Sequence, residues 1–158
     1  MNDVASVLPE PTPEEKDQAR HVRDVTEKKA GIALTFYRTL AYVTGAWLIL
    51  LVIEMILKYL VDVNGNQDPV IGTWVAIVHG MIYVIYVLAV FNLWSVMRWG
   101  FGRMIYLIIA GVVPVLSFVL ERKATQWVRE DLPAVLDATE GRALRRAQIS
   151  RLKTERER

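Results

Sequence analysis

The sequence predicts an all-α membrane protein: three transmembrane helices, a polar N-terminal tail, and an amphipathic, basic C-terminal helical tail. Three long runs with almost no charge carry this prediction. The run from Thr39 to Leu57 has one charged residue, Glu54, and the runs from Ile71 to Met97 and from Met104 to Leu120 have none. Stretches of about 17–25 apolar residues match the thickness of a bilayer core. This pattern excludes an ordinary soluble enzyme, and the lack of cysteine excludes disulfides and thiolate chemistry.

The N-terminal tail, residues 1–30, holds five basic and seven acidic residues and three prolines, Pro9, Pro11 and Pro13. Such a segment buries too little apolar surface to offset its ordering entropy, so residues 1–15 are expected to be disordered. Helix-forming residues are dense from Glu14 to Lys29, which predicts a short polar helix leading into the membrane. No signal peptide is expected, because the first apolar run begins far from the N-terminus and is long.

The transmembrane domain is predicted over residues 31–120. Its first span, residues 31–60, would be about 45 Å long, so its start projects into the headgroups. Arg38 lies in that projecting part and can snorkel to the interface. The link from Val61 to Val70 contains Asn64-Gly65-Asn66 and Asp68-Pro69, which are turn signals that predict a tight antiparallel hairpin.

The second and third spans are predicted at residues 71–97 and 104–120. Pro114 lies within the third span and leaves the carbonyl of Ala110 without its usual backbone donor, so a kink is expected there. Small residues let helices approach closely. Three glycines are predicted to serve helix packing in this way: Gly45, Gly80 and Gly111.

The C-terminal tail, residues 121–158, carries ten basic and seven acidic residues. Val128, Leu132, Val135 and Leu136 recur at helical spacing and predict an amphipathic helix. Its last part is basic but has neither interleaved aromatic residues nor a recognition motif, so nucleic acid is not an expected partner. A solvated helix and a contact with the lipid surface are both compatible with this composition.

The basic residues near the span ends do not all favour the same membrane orientation. Loops rich in Lys and Arg tend to lie on the cytoplasmic side. Seven of the basic residues flank the first span or lie in the second connection, whereas three follow the third span. Three spans then place the N-terminus inside and the C-terminal tail outside. A third span that is short and broken by Pro114 could instead be re-entrant and return the tail to the cytoplasm.

The unusual polar residues of the spans are predicted to form one cluster near the hairpin. Glu54 and Lys58 are four residues apart and share a helix face, and His79 on the second span lies at a similar depth. Tyr83 follows His79 on the same face. Ionisable groups at this depth suggest function, but the pattern favours a buried network that only fixes helix packing. A metal site or a haem is not expected, because the ligands are too few.

Four segments resemble the small bacterial integral-membrane family called domain of unknown function 3817, in its actinobacterial form. They run over residues 41–45, 54–59, 78–86 and 114–122, and include Glu54-Met55-Ile56-Leu57-Lys58-Tyr59 and Val78-His79-Gly80. The resemblance extends from about Phe36 to Lys123 and leaves both tails outside. It implies a three-helix membrane protein of unassigned activity and gives no substrate or cofactor.

The function predicted from these features is that of a non-enzymatic accessory or interaction subunit of the bacterial plasma membrane. The chain is expected to form a homo-oligomer or to join a larger membrane complex, because three spans leave little room for a pathway within one chain. The alternative is an oligomeric small transporter or proton-coupled permease that uses Glu54, Lys58 and His79.

Overall fold

The computed structural model describes residues 8–61, 63, 65, 68–113 and 116–157, and all regular structure in these ranges is helical. The helices are α1 (Pro13–Ile56), α2 (Trp74–Met97), α3 (Phe101–Ala110) and α4 (Leu116–Arg156), and a π-helical turn (Leu57–Val61) continues α1. The all-helical prediction is therefore confirmed for this part of the chain. Two compact units are formed: a terminal unit from the two chain ends and a central unit, Ala30–Glu130.

The terminal unit pairs residues up to Lys29 with residues from Asp131 onward. Thr12 and Glu15 form a reciprocal capping box, in which each backbone N–H donates to the other side chain, at 2.8 and 3.3 Å, and this explains why α1 begins at Pro13. Arg23 donates to Glu140 and Asp137 at 2.8 Å each, and these bonds raise the pKa of Arg23 above its ordinary value. The two charged chain ends thus bind each other. The sequence alone predicts two separate tails and does not indicate this pairing.

In the central unit α1 and α2 form an antiparallel hairpin. Trp47 of α1 donates through its Nε1 to the carbonyl of Val75 at 2.9 Å, and the rings of Tyr37 and Tyr86 lie 5.9 Å apart. Earlier residues of α1 therefore meet later residues of α2. Gly72 precedes α2 with φ of 126°, a conformation that side chains rarely adopt.

Helix α3 packs antiparallel to α2 and is only ten residues long. The third span, predicted as one helix over residues 104–120, is instead divided between α3 and α4. Helix α3 ends at Ala110, before Pro114 and Val115, which lie outside the described residues together with the expected kink. A ten-residue helix is about 15 Å long, half the thickness of a bilayer core.

Helix α4 returns along α1 in the antiparallel direction. A Cβ added at Gly45 would lie 3.0 Å from the ring of Phe118, while Tyr42 and Arg38, which precede Gly45, both bind Glu121. Since later residues of α4 meet earlier residues of α1, the chain leaves the central unit at the end where it entered.

Within the described ranges, two helical segments are long and apolar enough to cross a membrane: the one from Pro13 to Val61 and α2. Both carry large apolar side chains on their outer faces, and those of α2 include Ile77, Met81 and Leu88, which are 63–66% exposed. The first predicted span is the apolar second half of a helix that already begins at Pro13. The polar helix predicted from Glu14 is the first part of this same α1.

Candidate functional site

The carboxylate of Glu54 is buried at the connected end of the hairpin, where it binds the backbone that leads into α2. It accepts hydrogen bonds from the N–H groups of Val70, Ile71 and Gly72 at 2.8, 2.9 and 3.4 Å. These amides have no helical partner because they precede the first turn of α2. Glu54 therefore fixes the connection to α2 and places a negative charge close to its positive N-terminus.

Lys58 lines a pocket of about 190 Å³ together with Glu54, residues of the connection and the first turn of α2. Its ammonium group lies 5.0 Å from the centre of the Tyr59 ring. The structure thus brings Glu54 and Lys58 to one pocket, although the hydrogen bonds found for Glu54 in the described residues go to backbone amides.

His79 lies elsewhere on α2 and does not line this pocket. Its ring stacks on that of Tyr83 with 6.3 Å between the ring centres. The Nδ1 atom of His79 is buried and has no hydrogen-bond partner among the described residues. Of the four predicted residues, Glu54 and Lys58 line the same pocket, and the ring of His79 stacks on that of Tyr83.

The hydroxyl of Tyr83 has a structural partner at the end of α3. The last four carbonyls of a helix lack partners within the helix, and in α3 each finds a donor. Tyr86 donates to Leu107 at 2.6 Å and Tyr83 to Ile108 at 3.2 Å, while the N–H of Val112 donates to Ile109 at 3.0 Å.

The carbonyl of Ala110 is the fourth, and it accepts from the hydroxyl of Ser117 at 2.6 Å. This is the carbonyl that the sequence predicts to lack its usual donor because of Pro114. Ser117 lies at the start of α4, so this bond joins the two arms of the α3–α4 turn.

The three glycines singled out in the sequence differ in their surroundings. A Cβ at Gly111 would lie 2.7 Å from Tyr86 and 2.8 Å from Tyr83, and one at Gly45 would lie 3.0 Å from Phe118. A Cβ at Gly80 would meet no atom within 4 Å. Two of the glycines therefore allow close contacts within the central unit, and Gly80 faces outward.

Glu121 forms the most buried charged centre of the central unit, and sequence reasoning did not include it. Its side chain is 2% exposed and pairs with Arg38, with 2.6 Å between Nε and Oε1. Tyr42 and Thr125 donate to the same carboxylate at 2.8 and 3.0 Å. No sequence signal pointed to this pair, because the three-span prediction places Arg38, near the start of the first span, and Glu121, after the third, on opposite sides of the membrane.

The described residues contain no group of three or more His, Asp or Glu side chains placed to hold a metal ion. Among the polar side chains described above, Glu54, Tyr83, Tyr86 and Ser117 bind backbone groups, and Glu121 binds other side chains. This arrangement defines a class of helical protein built on an apolar α1–α2 hairpin. Hydrogen bonds and an ion pair of buried tyrosine and carboxylate side chains hold the α3–α4 turn against that hairpin.

The chain belongs to the family described as domain of unknown function (DUF3817), whose model matches residues 34–126. The family resemblance drawn from the sequence is thereby confirmed. The match includes Glu54, His79 and Glu121, and it leaves the terminal unit outside.

The chain is similar to uncharacterized proteins of mycobacteria. It is 33% identical over 119 residues to one from Mycobacterium tuberculosis, a match that covers 75% of this chain and 95% of the relative. It is 37% identical over 106 residues to one from Mycobacterium leprae, covering 67% of this chain and 83% of the relative. No solved structure matches the chain at a significant level.

Proposed function

We propose that this protein is a non-enzymatic accessory or interaction subunit of the bacterial plasma membrane. The observation that carries the proposal is the contrast between the inside and the outside of the central unit. The buried carboxylates and tyrosine hydroxyls described above bind groups of the same chain, whereas the outer faces of α1 and α2 present large apolar side chains.

Membrane residence is supported by the exposure of these apolar faces. The core helix of a soluble protein buries its apolar side chains, but Ile77, Met81 and Leu88 of α2 are each more than 60% exposed. Continuous apolar patches of this extent are rare on soluble monomers and mark membrane or protein contacts.

We further propose a topology in which α1 and α2 cross the bilayer and the α3–α4 turn is re-entrant. The antiparallel course of α4 along α1 supports it, because it returns the chain to the side of the N-terminus. Ten basic residues near the span ends, seven before α4 and three within it, then lie on one side, whereas Lys58 is the one basic residue near the opposite ends of α1 and α2. Under the positive-inside rule this excess favours a cytoplasmic position for both chain ends.

An interaction role is supported by the outward position of Gly80 beside Ile77 and Met81 on α2. A small residue on an exposed helix face permits a close approach by another transmembrane helix. The partner is a second copy of this chain or another membrane subunit.

The test is site-specific photo-crosslinking in native membranes after carbonate extraction. A photo-reactive residue at Met81, which is exposed, should yield one discrete adduct, whereas one at the buried Leu107 should not. Release of the chain by carbonate would refute membrane integration, and lipid adducts alone at Met81 would refute the interaction role.

The second candidate is an oligomeric transporter or proton-coupled permease. One observation favours it: the buried Nδ1 of His79 has no partner among the described residues, a cost that a functional role would explain. A pH-dependent flux in proteoliposomes that is lost in His79→Ala, with the variant still folded, would support it. Unchanged flux in that variant would dismiss it.

A further inference from the structure

We propose that a pocket between α1 and α4 binds the phosphate headgroup of an anionic phospholipid. The pocket has a volume of about 570 Å³ and is lined by Tyr42 of α1 and by five residues of α4: Phe118, Val119, Arg122, Lys123 and Gln126. It deepens the proposed function, because a membrane is what supplies such a ligand.

The five α4 residues form one continuous face. Their spacing of one, four, five and eight residues from Phe118 places them on the same side of a helix. The ring of Tyr42 closes the pocket from α1 and lies 5.7 Å from the ring of Phe118. The pocket is therefore built entirely within the central unit.

The residues that line the pocket carry two positive charges and no negative one. Two neighbouring carboxylates are already bound: Glu121 is buried in an ion pair of its own, and Glu130 accepts a hydrogen bond from the side chain of Gln126 at 2.7 Å. Arg122 and Lys123 are exposed, and no ion pair involving either is found in the described part of the chain. An anion that enters the pocket thus meets two cationic side chains without displacing a carboxylate from either.

The order of the residues along α4 favours a lipid over a free anion. Phe118 and Val119 are apolar, Arg122 and Lys123 follow one turn later, and the amide of Gln126 follows after another turn. This gradient extends over about 12 Å along the helix. A phospholipid has the same order, with an acyl chain next to a phosphate, and basic pockets between transmembrane helices commonly bind such headgroups.

A tryptophan beside the cationic end of the pocket is consistent with a position at the level of the lipid headgroups. Lys123 lies 5.9 Å from the centre of the Trp127 ring, and the guanidinium of Arg103 lies 5.0 Å from the same ring. Tryptophan side chains concentrate at the level of the headgroups. The cationic end of the pocket therefore lies where lipid phosphates are found.

The test is native mass spectrometry of the purified full-length chain in detergent micelles, titrated with phosphatidylglycerol or phosphatidylcholine. Phosphatidylglycerol should bind at least about tenfold more tightly than phosphatidylcholine, and the double variant Arg122→Gln/Lys123→Gln should lose this preference. The matched control, Arg145→Gln/Arg146→Gln, removes two adjacent exposed charges outside the pocket and should retain it. Arg122→Lys keeps the charge and should bind nearly as the parent does.

Two results would overturn the proposal. Equal losses in the two double variants would mean nonspecific attraction, and full displacement of the lipid by equimolar inorganic phosphate would mean a simple anion site. Because the titration uses purified protein in micelles, it reports on the pocket whatever carbonate extraction and crosslinking show about the proposed function.

Discussion

Glu54 and Glu121 are the two buried carboxylates among the described residues of the central unit, and each is stabilised differently. Glu54 binds three backbone amides, whereas Glu121 binds one guanidinium and two hydroxyls. A buried charge is tolerated only when its hydrogen-bonding capacity is satisfied. Both carboxylates meet that condition, which supports a structural role for each.

Replacing Glu54 should destabilise the protein more than replacing Lys58. Glu54→Gln puts an amide group where three N–H donors converge and should lower the free energy of unfolding by about 1–3 kcal/mol. Lys58→Met should cost less than about 1 kcal/mol, because the hydrogen bonds of Glu54 go to the backbone. Denaturant unfolding in detergent measures both. A larger loss in Lys58→Met would show that the ion pair predicted from the sequence is the main interaction.

The pairing of Arg38 with Glu121 should appear as a coupling energy. Arg38→Met leaves a buried carboxylate without its cation and should cost roughly 1–3 kcal/mol, less than a fully buried pair because Arg38 is half-exposed. The double variant Arg38→Met/Glu121→Gln should recover part of this loss. Arg122→Gln, next to Glu121 but exposed, serves as the control and should leave the unfolding midpoint unchanged. Additive losses in the double variant would contradict the pairing.

Residue depth could be predicted from the sequence, but residue partners could not. The depth of Glu54 follows from its position in an apolar run. Its partners are backbone amides of the connection to α2. Because almost every residue type carries such an N–H group, the sequence does not indicate which amides bind the carboxylate. Glu121 escaped prediction because it lies one residue beyond the predicted third span, where a carboxylate usually faces solvent.

At the scale of elements, α3 is the least ordinary part of the fold. It is too short to cross a bilayer, yet donors from α2 and α4 satisfy the carbonyls at its C-terminal end. The two long apolar runs predicted α1 and α2 well, since length and hydropathy suffice for a spanning helix. The division of the third run was visible only as Pro114, and proline alone does not distinguish a kinked span from a turn.

Gly111 should tolerate a side chain poorly, and Gly80 should tolerate one well. Gly111→Ala brings a Cβ to 2.7 Å from Tyr86 and should cost about 1–3 kcal/mol by displacing the tyrosines that hold α3. Gly80→Ala meets no atom within 4 Å and should change stability by less than about 0.5 kcal/mol. Thermal unfolding in detergent compares the two. Equal midpoints would show that α3 does not pack against Tyr86 as described.

At the scale of the whole molecule, the proposed re-entrant topology accounts for the distribution of basic residues that the sequence leaves in conflict. Three spans put three basic residues on the wrong side, and a re-entrant turn puts all ten on one side. The sequence is compatible with both a third spanning helix and a re-entrant turn, because the hydropathy of a short apolar segment does not show whether it crosses the membrane or turns back. The antiparallel contacts between α1 and α4 support the re-entrant arrangement.

Single cysteines test this topology directly, because the chain has none of its own. A membrane-impermeant maleimide added to intact cells should label Val63→Cys, in the exposed connection between α1 and α2. Gln18→Cys and Ser150→Cys should be labelled only after permeabilisation. Labelling of Ser150→Cys in intact cells would restore the three-span arrangement with an external C-terminal tail.

The brevity of α3 also sets an order for biosynthesis. A segment of ten apolar residues is too short to leave the insertion machinery as a spanning helix on its own. The carbonyls of Leu107 and Ile108 acquire their side-chain donors only where Tyr86 and Tyr83 are already in place. In the proposed topology, therefore, α1 and α2 integrate before the α3–α4 turn folds into the bilayer. A nascent chain that ends at Met97 should therefore be stably integrated, whereas a chain beginning at Phe101 should remain outside the membrane.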